Sequence, residues 1–215
     1  MQSREGFAFA SDFDGTITEK DVAAMLLHEF ADEKWLDVEE DFRNRKLSCR
    51  ETLKREFELL QGGKQQLIEY VDRHARIDPN FKPFLSLCEK RGIPVRIVSE
   101  GLDFYIEHLL GKHGIEIDFF TNRAHFENGG IRISFPNSSE ECDDCGTCKL
   151  QLLKDWKEEG KGIVYAGDGV SDICPAESAD VVFAKGDLLS HFKKEGLDHI
   201  EFKDFRDIIS EMERW

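Results

Sequence analysis

The stretch Phe7-Ala8-Phe9-Ala10-Ser11-Asp12-Phe13-Asp14-Gly15-Thr16 decides how the rest of the chain is read. Its first five residues are apolar or small, with no polar alternation, as in a strand covered on both faces. The run then gives way to two aspartates one residue apart and a glycine that lets the backbone turn tightly. In an open parallel sheet, ligands bind beyond the carboxyl ends of the strands, so a strand ending at Asp12 and Asp14 aims carboxylates into a crevice. Two carboxylates placed in this way can divide the labour, one attacking as a nucleophile and the other acting as acid and then base. The same residues also suit an Asp-Gly turn with a capping threonine, and only chemistry elsewhere in the chain decides between the two.

Three more β-rich apolar runs recur, at 94–99, 162–166 and 180–184. Helical patterns accompany them: Phe81, Phe84, Leu85 and Cys88; Leu102, Tyr105, Ile106 and Leu109; Leu150, Leu153 and Trp156; Phe205, Ile208, Ile209 and Met212. Strand then helix, repeated, predicts an α/β fold with a doubly wound, mostly parallel sheet. The interval 17–78 breaks the rhythm, because its apolar residues fall at helical spacing. They are Val22, Ala23, Leu26, Leu27 and Phe30; Leu53, Phe57 and Leu60; and Leu67, Ile68, Val71 and Ala75. Gln61-Gly62-Gly63 punctuates this series and Asp78-Pro79 ends it. The expected division is a core of 1–16 and 79–215 with a helical-bundle cap of 17–78 inserted after the first strand. Asn128-Gly129-Gly130, between Phe126 and Ile131, predicts a hairpin within 123–135.

The chain has 215 residues, which suits one core domain with one inserted subdomain. With 29 Lys plus Arg against 44 Asp plus Glu, its formal charge of −15 repels phosphate backbones and anionic lipid. Nucleic-acid and membrane partners are therefore not expected. No run approaches the roughly 18 apolar residues of a spanning helix, and a cytoplasmic protein follows as the expectation. Six cysteines are too sparse for a disulfide scaffold, although Cys142, Cys145 and Cys148 crowd together.

Other motifs place chemistry at the same rim. Gly167-Asp168-Gly169-Val170-Ser171-Asp172 follows the third run and adds two carboxylates. Oxygen ligands in that number call for a hard divalent cation, Mg²⁺ being the natural choice. Ser99, in Ser99-Glu100-Gly101, supplies a hydroxyl, and Lys149 opens the helix from Leu150 with a positive charge. Taken singly these are a capped βα turn, a helix cap and a surface lysine. In this order they resemble the haloacid dehalogenase superfamily of phosphatases, one branch of which carries a helical cap between its first and second motifs. That resemblance implies a Rossmann-like core and specific roles. Asp12 is the nucleophile that forms an aspartyl-phosphate, and Asp14 the general acid and base. Ser99 and Lys149, with Glu100 and Gly101 in the same turn, hold the phosphoryl group. Mg²⁺ sits between Asp12, the Asp14 backbone carbonyl and Asp168, with Asp172 in support.

A closer resemblance rests on Leu47-Ser48, Arg55, Phe57-Glu58-Leu59-Leu60, the run 98–110 and the arrangement Cys142, Cys145, Cys148 and Lys149. These look like the methionine-salvage phosphatases called MtnX, which hydrolyse 2-hydroxy-3-keto-5-methylthiopentenyl-1-phosphate. Where such relatives read Ser-Gly-Gly, this chain reads Ser99-Glu100-Gly101, which is expected to bring a negative side chain to the mouth of the crevice. Phosphoserine phosphatases share the layout and are the alternative, as is a phosphotransferase of the same superfamily. Phosphoserine phosphatases clamp the substrate carboxylate with a cap arginine, and the equivalent position here is Glu56, which would repel it. Asp21 and Arg55, with Lys20, Arg43 and Arg45, are the candidates for selecting the leaving group of a small phosphorylated metabolite. Cys142, Cys145 and Cys148 could also supply thiolates to a structural Zn²⁺, with His125 or Cys174 as the fourth ligand; a disulfide and free thiols stand beside that reading. A homodimer would show itself by an exposed apolar face on the cap.

Overall fold

The structure, a computed structural model, describes residues 6–127 and 130–215, so Asn128 and Gly129 of the expected hairpin turn lie outside the described residues. Strand β1 (Phe7–Ser11) leads into α1 (Val22–Phe30), α2 (Trp35–Arg43), α3 (Cys49–Glu58) and α4 (Lys64–His74). Then come α5 (Phe81–Lys90), β2 (Val95–Leu102), α6 (Asp103–Lys112), β3 (Asp118–Glu127) and β4 (Gly130–Ser134). The chain continues through α7 (Lys154–Glu158), β5 (Gly162–Gly167), α8 (Ile173–Glu177), β6 (Val181–Ala184), α9 (Gly186–Glu195), β7 (Ile200–Glu201) and α10 (Phe205–Met212).

The strands form a seven-stranded sheet in the order β4-β3-β2-β1-β5-β6-β7, parallel except for the antiparallel β3–β4 pair. This is the expected α/β class. Alternation along β1 explains why both faces are covered: Phe9 enters one layer, while Ala8 and Ala10 enter the other. On the first face Phe9 meets Phe84 at 4.6 Å between ring centroids, and Phe205 packs on Phe81 at 4.9 Å. Each such buried phenylalanine contributes about 1.5–3 kcal/mol. On the second face the small alanines leave room for Leu153, Trp156, Leu188 and Phe192.

All four helices from α1 to α4 lie between β1 and α5. Where the chain leaves and re-enters the core, it pairs with itself. Thr18 and Ile77 form an antiparallel bridge, Glu19 N donates to Arg76 O at 3.0 Å, and Asp78 N donates to Ile17 O at 2.9 Å. Asp21 and Ser48 cap α1 and α3 with their side-chain oxygens. Among the described residues, no helix is long and apolar enough to cross a membrane. The exposed large apolar side chains there, Leu36, Val170 and Leu197, sit on separate elements, so the apolar face that a homodimer would use is not seen.

Candidate active site

Parallel pairing of β1 with β5 sets Ser11 against Ala166, and Asp12 N donates to Ala166 O at 2.9 Å. Asp12 therefore emerges beside the loop that carries Asp168 and Asp172. One carboxylate oxygen from each of these three residues lies within 4.8 Å of the others. Lys149 comes from a distant loop and is 2% exposed; its Nζ donates to Asp12 Oδ1 at 2.8 Å, Asp172 Oδ1 at 2.6 Å and Ser171 Oγ at 3.2 Å. Asp172 also accepts from Tyr165 Oη at 2.6 Å, Asp168 N at 3.0 Å and Gly169 N at 2.9 Å. Four donors fill its acceptor sites, so Asp172 shapes the loop and steers Lys149. Thr16 Oγ1 donates to Asp168 Oδ1 at 2.6 Å. Gly15, at φ +72°, leaves space for that carboxylate, since a Cβ there would lie 2.4 Å from Asp168 Oδ2.

The electrostatics follow from burial. Desolvation pushes the Asp12 carboxyl well above its ordinary range; Lys149 opposes this, while Asp172 and Asp168 reinforce it. Asp168 is pushed up to about 6, first by burial and then by Asp172. Burial works against the charge on Lys149, but Asp12 and Asp172 outweigh it and hold the ammonium charged. Lys185, which donates to Thr16 O at 3.4 Å, is a second cation close enough to feel Asp168 and Asp12, and burial draws its pKa down. Three acids facing two lysines remain a net negative cluster of hard oxygen donors, which suits a divalent cation.

Asp14 turns to the other side. Tyr105 Oη donates to its Oδ2 at 2.6 Å and Val22 N to its Oδ1 at 3.1 Å. Burial, then the charge of Asp21, lifts it to about 8. Gly101 makes room for this pair, because a Cβ would stand 2.3 Å from both Asp14 Oδ2 and Tyr105 Oη. Strand β2 runs on through Leu102, with an irregularity between Val98 and Leu102, so Ser99 lies inside the strand and not at a helix cap. Two residues past the Ser11–Ile97 pair, it reaches beyond the end of β1; its Oγ accepts from Gly101 N at 2.9 Å.

Glu100 departs from expectation. It is 9% exposed and points away from the crevice mouth, accepting from Asn122 Nδ2 at 2.9 Å, Gly146 N at 3.1 Å and Thr147 N at 3.0 Å. Burial raises its pKa against those hydrogen bonds. The carboxylate thus pins the backbone two residues before Lys149. Arg55 departs as well: it is exposed and paired with Glu51 at 3.4 Å. Arg43 pairs with Glu39 on the solvent side, and Lys20 and Arg45 are exposed. Asp21 does lie near the site, exposed to solvent yet ringed by protein, as on a crevice wall.

The zinc expectation is not supported. Among the described residues, the metal-ligating side chains that gather within 4.8 Å are the three aspartates, not the thiols. His125 bonds Ser134 Oγ at 2.7 Å, and Cys174, on α8, lies near Cys142 and Cys148 without closing a ligand group within 4.8 Å. The backbone of the cysteine loop is held instead by Arg50, whose guanidinium donates to Cys142 O at 3.2 Å and Cys145 O at 2.9 Å. Sequence reasoning missed Tyr105, Tyr165, Thr16, Asn122, Arg50 and Lys185. The two phenols sat in apolar periodic patterns and read as core; a tyrosine two residues before the Gly167-Asp168 turn was the available signal.

The family model described as Putative Phosphatase matches residues 7–197. The 2-hydroxy-3-keto-5-methylthiopentenyl-1-phosphate phosphatase of Bacillus velezensis is 32% identical over 213 residues, 95% of this chain and 91% of that protein. The enzyme of the same name from Geobacillus kaustophilus is 34% identical over 206 residues, 94% of each chain. Among solved structures, a substrate-bound phosphoserine phosphatase gives a TM-score of 0.72 at 22% identity, over 97% of this chain and 99% of that one, which shows a shared fold. Matched by the model along nearly its whole length and by proteins of its own size, the chain belongs to this family of phosphatases, phosphoric monoester hydrolases.

Proposed function

We propose that the protein hydrolyses 2-hydroxy-3-keto-5-methylthiopentenyl-1-phosphate, a reaction of methionine salvage, through an aspartyl-phosphate formed on Asp12. The observation that carries the chemistry is the meeting of buried Asp12 and Asp172 with half-buried Asp168 beside Lys149, and the two relatives support the choice of ester. Asp12 and Asp168, with the backbone carbonyl of Asp14, fit Mg²⁺ as hard oxygen donors, and Asp172 is already saturated by donors from the chain. When bound, the ion neutralises charge so that an anionic phosphoryl group can approach a carboxylate.

Lys149 fixes one oxygen of Asp12 and so orients the carboxylate for in-line attack on phosphorus. Asp14, with its pKa near 8, carries a proton at neutral pH and gives it to the leaving oxygen. The same carboxylate then takes a proton from the water that cleaves the aspartyl-phosphate. Ser99 and Lys149 hold the phosphoryl oxygens. We take α1 to α4 as the cap, bounded by the paired crossings at 17–19 and 76–78, which excludes bulk water during the first transfer.

The test is phosphate release from this ester. Activity is expected to vanish in excess EDTA and return with Mg²⁺. Asp12→Asn is expected to lose at least roughly 10³-fold in kcat with its circular dichroism unchanged. Substantial turnover by that variant would sink the scheme.

A further inference from the structure

Cys142, Cys145 and Cys148 recur at every third position just before Lys149, and the chemistry assigned above uses none of them. All three are free thiols. The chain bends at 143–144 and again at 146–147, so each bend folds one cysteine back toward the next. A single atom, Arg50 Nη2, holds the Cys142 carbonyl at 3.2 Å and the Cys145 carbonyl at 2.9 Å, which fixes the first bend from outside. Glu100 fixes the second by accepting from Gly146 N and Thr147 N.

Within this frame the sulfur of Cys142 is the point of convergence. The backbone N–H groups of Cys145 and Asp144 donate to it, as do the thiols of Cys145 and Cys148. Burial works against a thiolate there, but these donors outweigh it and draw Cys142 below the ordinary thiol range, whereas burial pushes Cys145 and Cys148 up. Cys142 is also partly open to solvent. An accessible sulfur that favours the thiolate, with a second thiol in contact, reacts with peroxides and then closes a disulfide. Of the two thiols in contact, Cys145 is half-buried, whereas Cys148 is buried, with its N donating to Asn137 O at 2.8 Å and its sulfur accepting from Gln151 N.

We infer that Cys142 is a peroxide-reactive site which Cys145 resolves to a disulfide, and that this bridge lowers turnover by shifting the loop that carries Lys149. The Cys142 thiolate attacks one oxygen of hydrogen peroxide; the O–O bond breaks, the sulfur keeps a hydroxyl as sulfenic acid, and hydroxide leaves to become water. The Cys145 sulfur then attacks Cys142 Sγ. The S–O bond breaks, and the departing hydroxide takes up the Cys145 proton as a second water. The two thiols supply the two electrons that reduce the peroxide. Drawing the sulfurs to bonding distance tightens the first bend, four residues from the lysine that holds Asp12 Oδ1 at 2.8 Å and Asp172 Oδ1 at 2.6 Å. In-line attack tolerates little misplacement, about 1 Å costing on the order of 10²-fold.

The experiment treats reduced protein with hydrogen peroxide and follows hydrolysis of 4-nitrophenyl phosphate in Mg²⁺ before, after and upon renewed reduction with dithiothreitol. Turnover is expected to fall at least about tenfold and to return on reduction. Fragment masses are expected to show Cys142 joined to Cys145, with two hydrogens lost. Cys142→Ser is expected to keep wild-type turnover and to resist peroxide, and Cys145→Ser to leave Cys142 as a sulfenic acid that dimedone captures. A bridge from Cys142 to Cys148 or to Cys174 overturns the role of Cys145. Unmodified Cys142, unchanged turnover on oxidation, or stoichiometric zinc on the thiols of protein purified without added metal overturns the whole proposal. The effect on turnover rests on the phosphatase reading, but the bridge is read by mass: a wild type inert towards the ester, yet bridged, sinks that reading and leaves the reactive site standing.

Discussion

A carboxyl that gives a proton and then takes it back works best with a pKa near the ambient pH, and Asp14 has one because burial and Asp21 disfavour its charged form. The proton is held below about 8 and lost above it, so kcat/KM is expected to fall as pH rises through about 8. Tyr105 opposes that shift by donating to the ionised carboxylate. Tyr105→Phe is therefore expected to move the alkaline limb upward, and a downward move in the pH profile would refute the role. Asp12, Asp14 and Asp168 stood out in the sequence because they follow closely on two recognisable strands, β1 and β5. Glu100 was misread for an equally plain reason. Its chain neighbours are visible in sequence, whereas the donors that turn it inward, from Asn122, Gly146 and Thr147, come from distant segments.

Helix α3 links the inserted helices to the loop that carries Lys149. Its first turn meets Asp144: Cys49 N donates to Asp144 Oδ1 at 3.1 Å and Arg50 N to Asp144 O at 2.9 Å. An acidic side chain at a helix N-terminus is favourable, and the Arg50 guanidinium adds bonds to the Cys142 and Cys145 carbonyls. Arg50→Ala is expected to cost about 1–3 kcal/mol in denaturant unfolding and to speed amide exchange across 142–148. Unchanged exchange there would show that α3 does not brace the loop. At this scale the sequence yielded elements whose burial is periodic and hid those whose burial is sparse. Trp35 is the one buried residue of α2, and Leu188 and Phe192 are the buried pair of α9, so neither helix announced itself. The first half of β3 mixes exposed and buried residues, and only its hairpin signal was readable.

The molecule as a whole concentrates unfavourable charge where its chemistry lies. Asp14 and Glu56 each rise to about 8 on folding, from ordinary values of 3.8 and 4.5. Between pH 4.5 and 8 the folded state thus binds more protons than the unfolded one at these positions. Their contribution to stability is full below their unfolded pKa values and is lost as pH rises through about 8. Metal-free protein is expected to melt at progressively lower temperature from pH 5 to 8, and Glu56→Gln to flatten the slope; a slope unaltered by that change would contradict the burial argument. The paired crossings around Thr18 and Ile77 have a consequence for descent and for engineering. A detour that departs and returns through one doorway leaves no net displacement, so the sheet does not register how long the excursion was or what shape it took. On the proposed function, recognition can diversify there provided that a replacement keeps the two ties to the reaction centre, Val22 N on Asp14 and the first turn of α3 on the Lys149 loop.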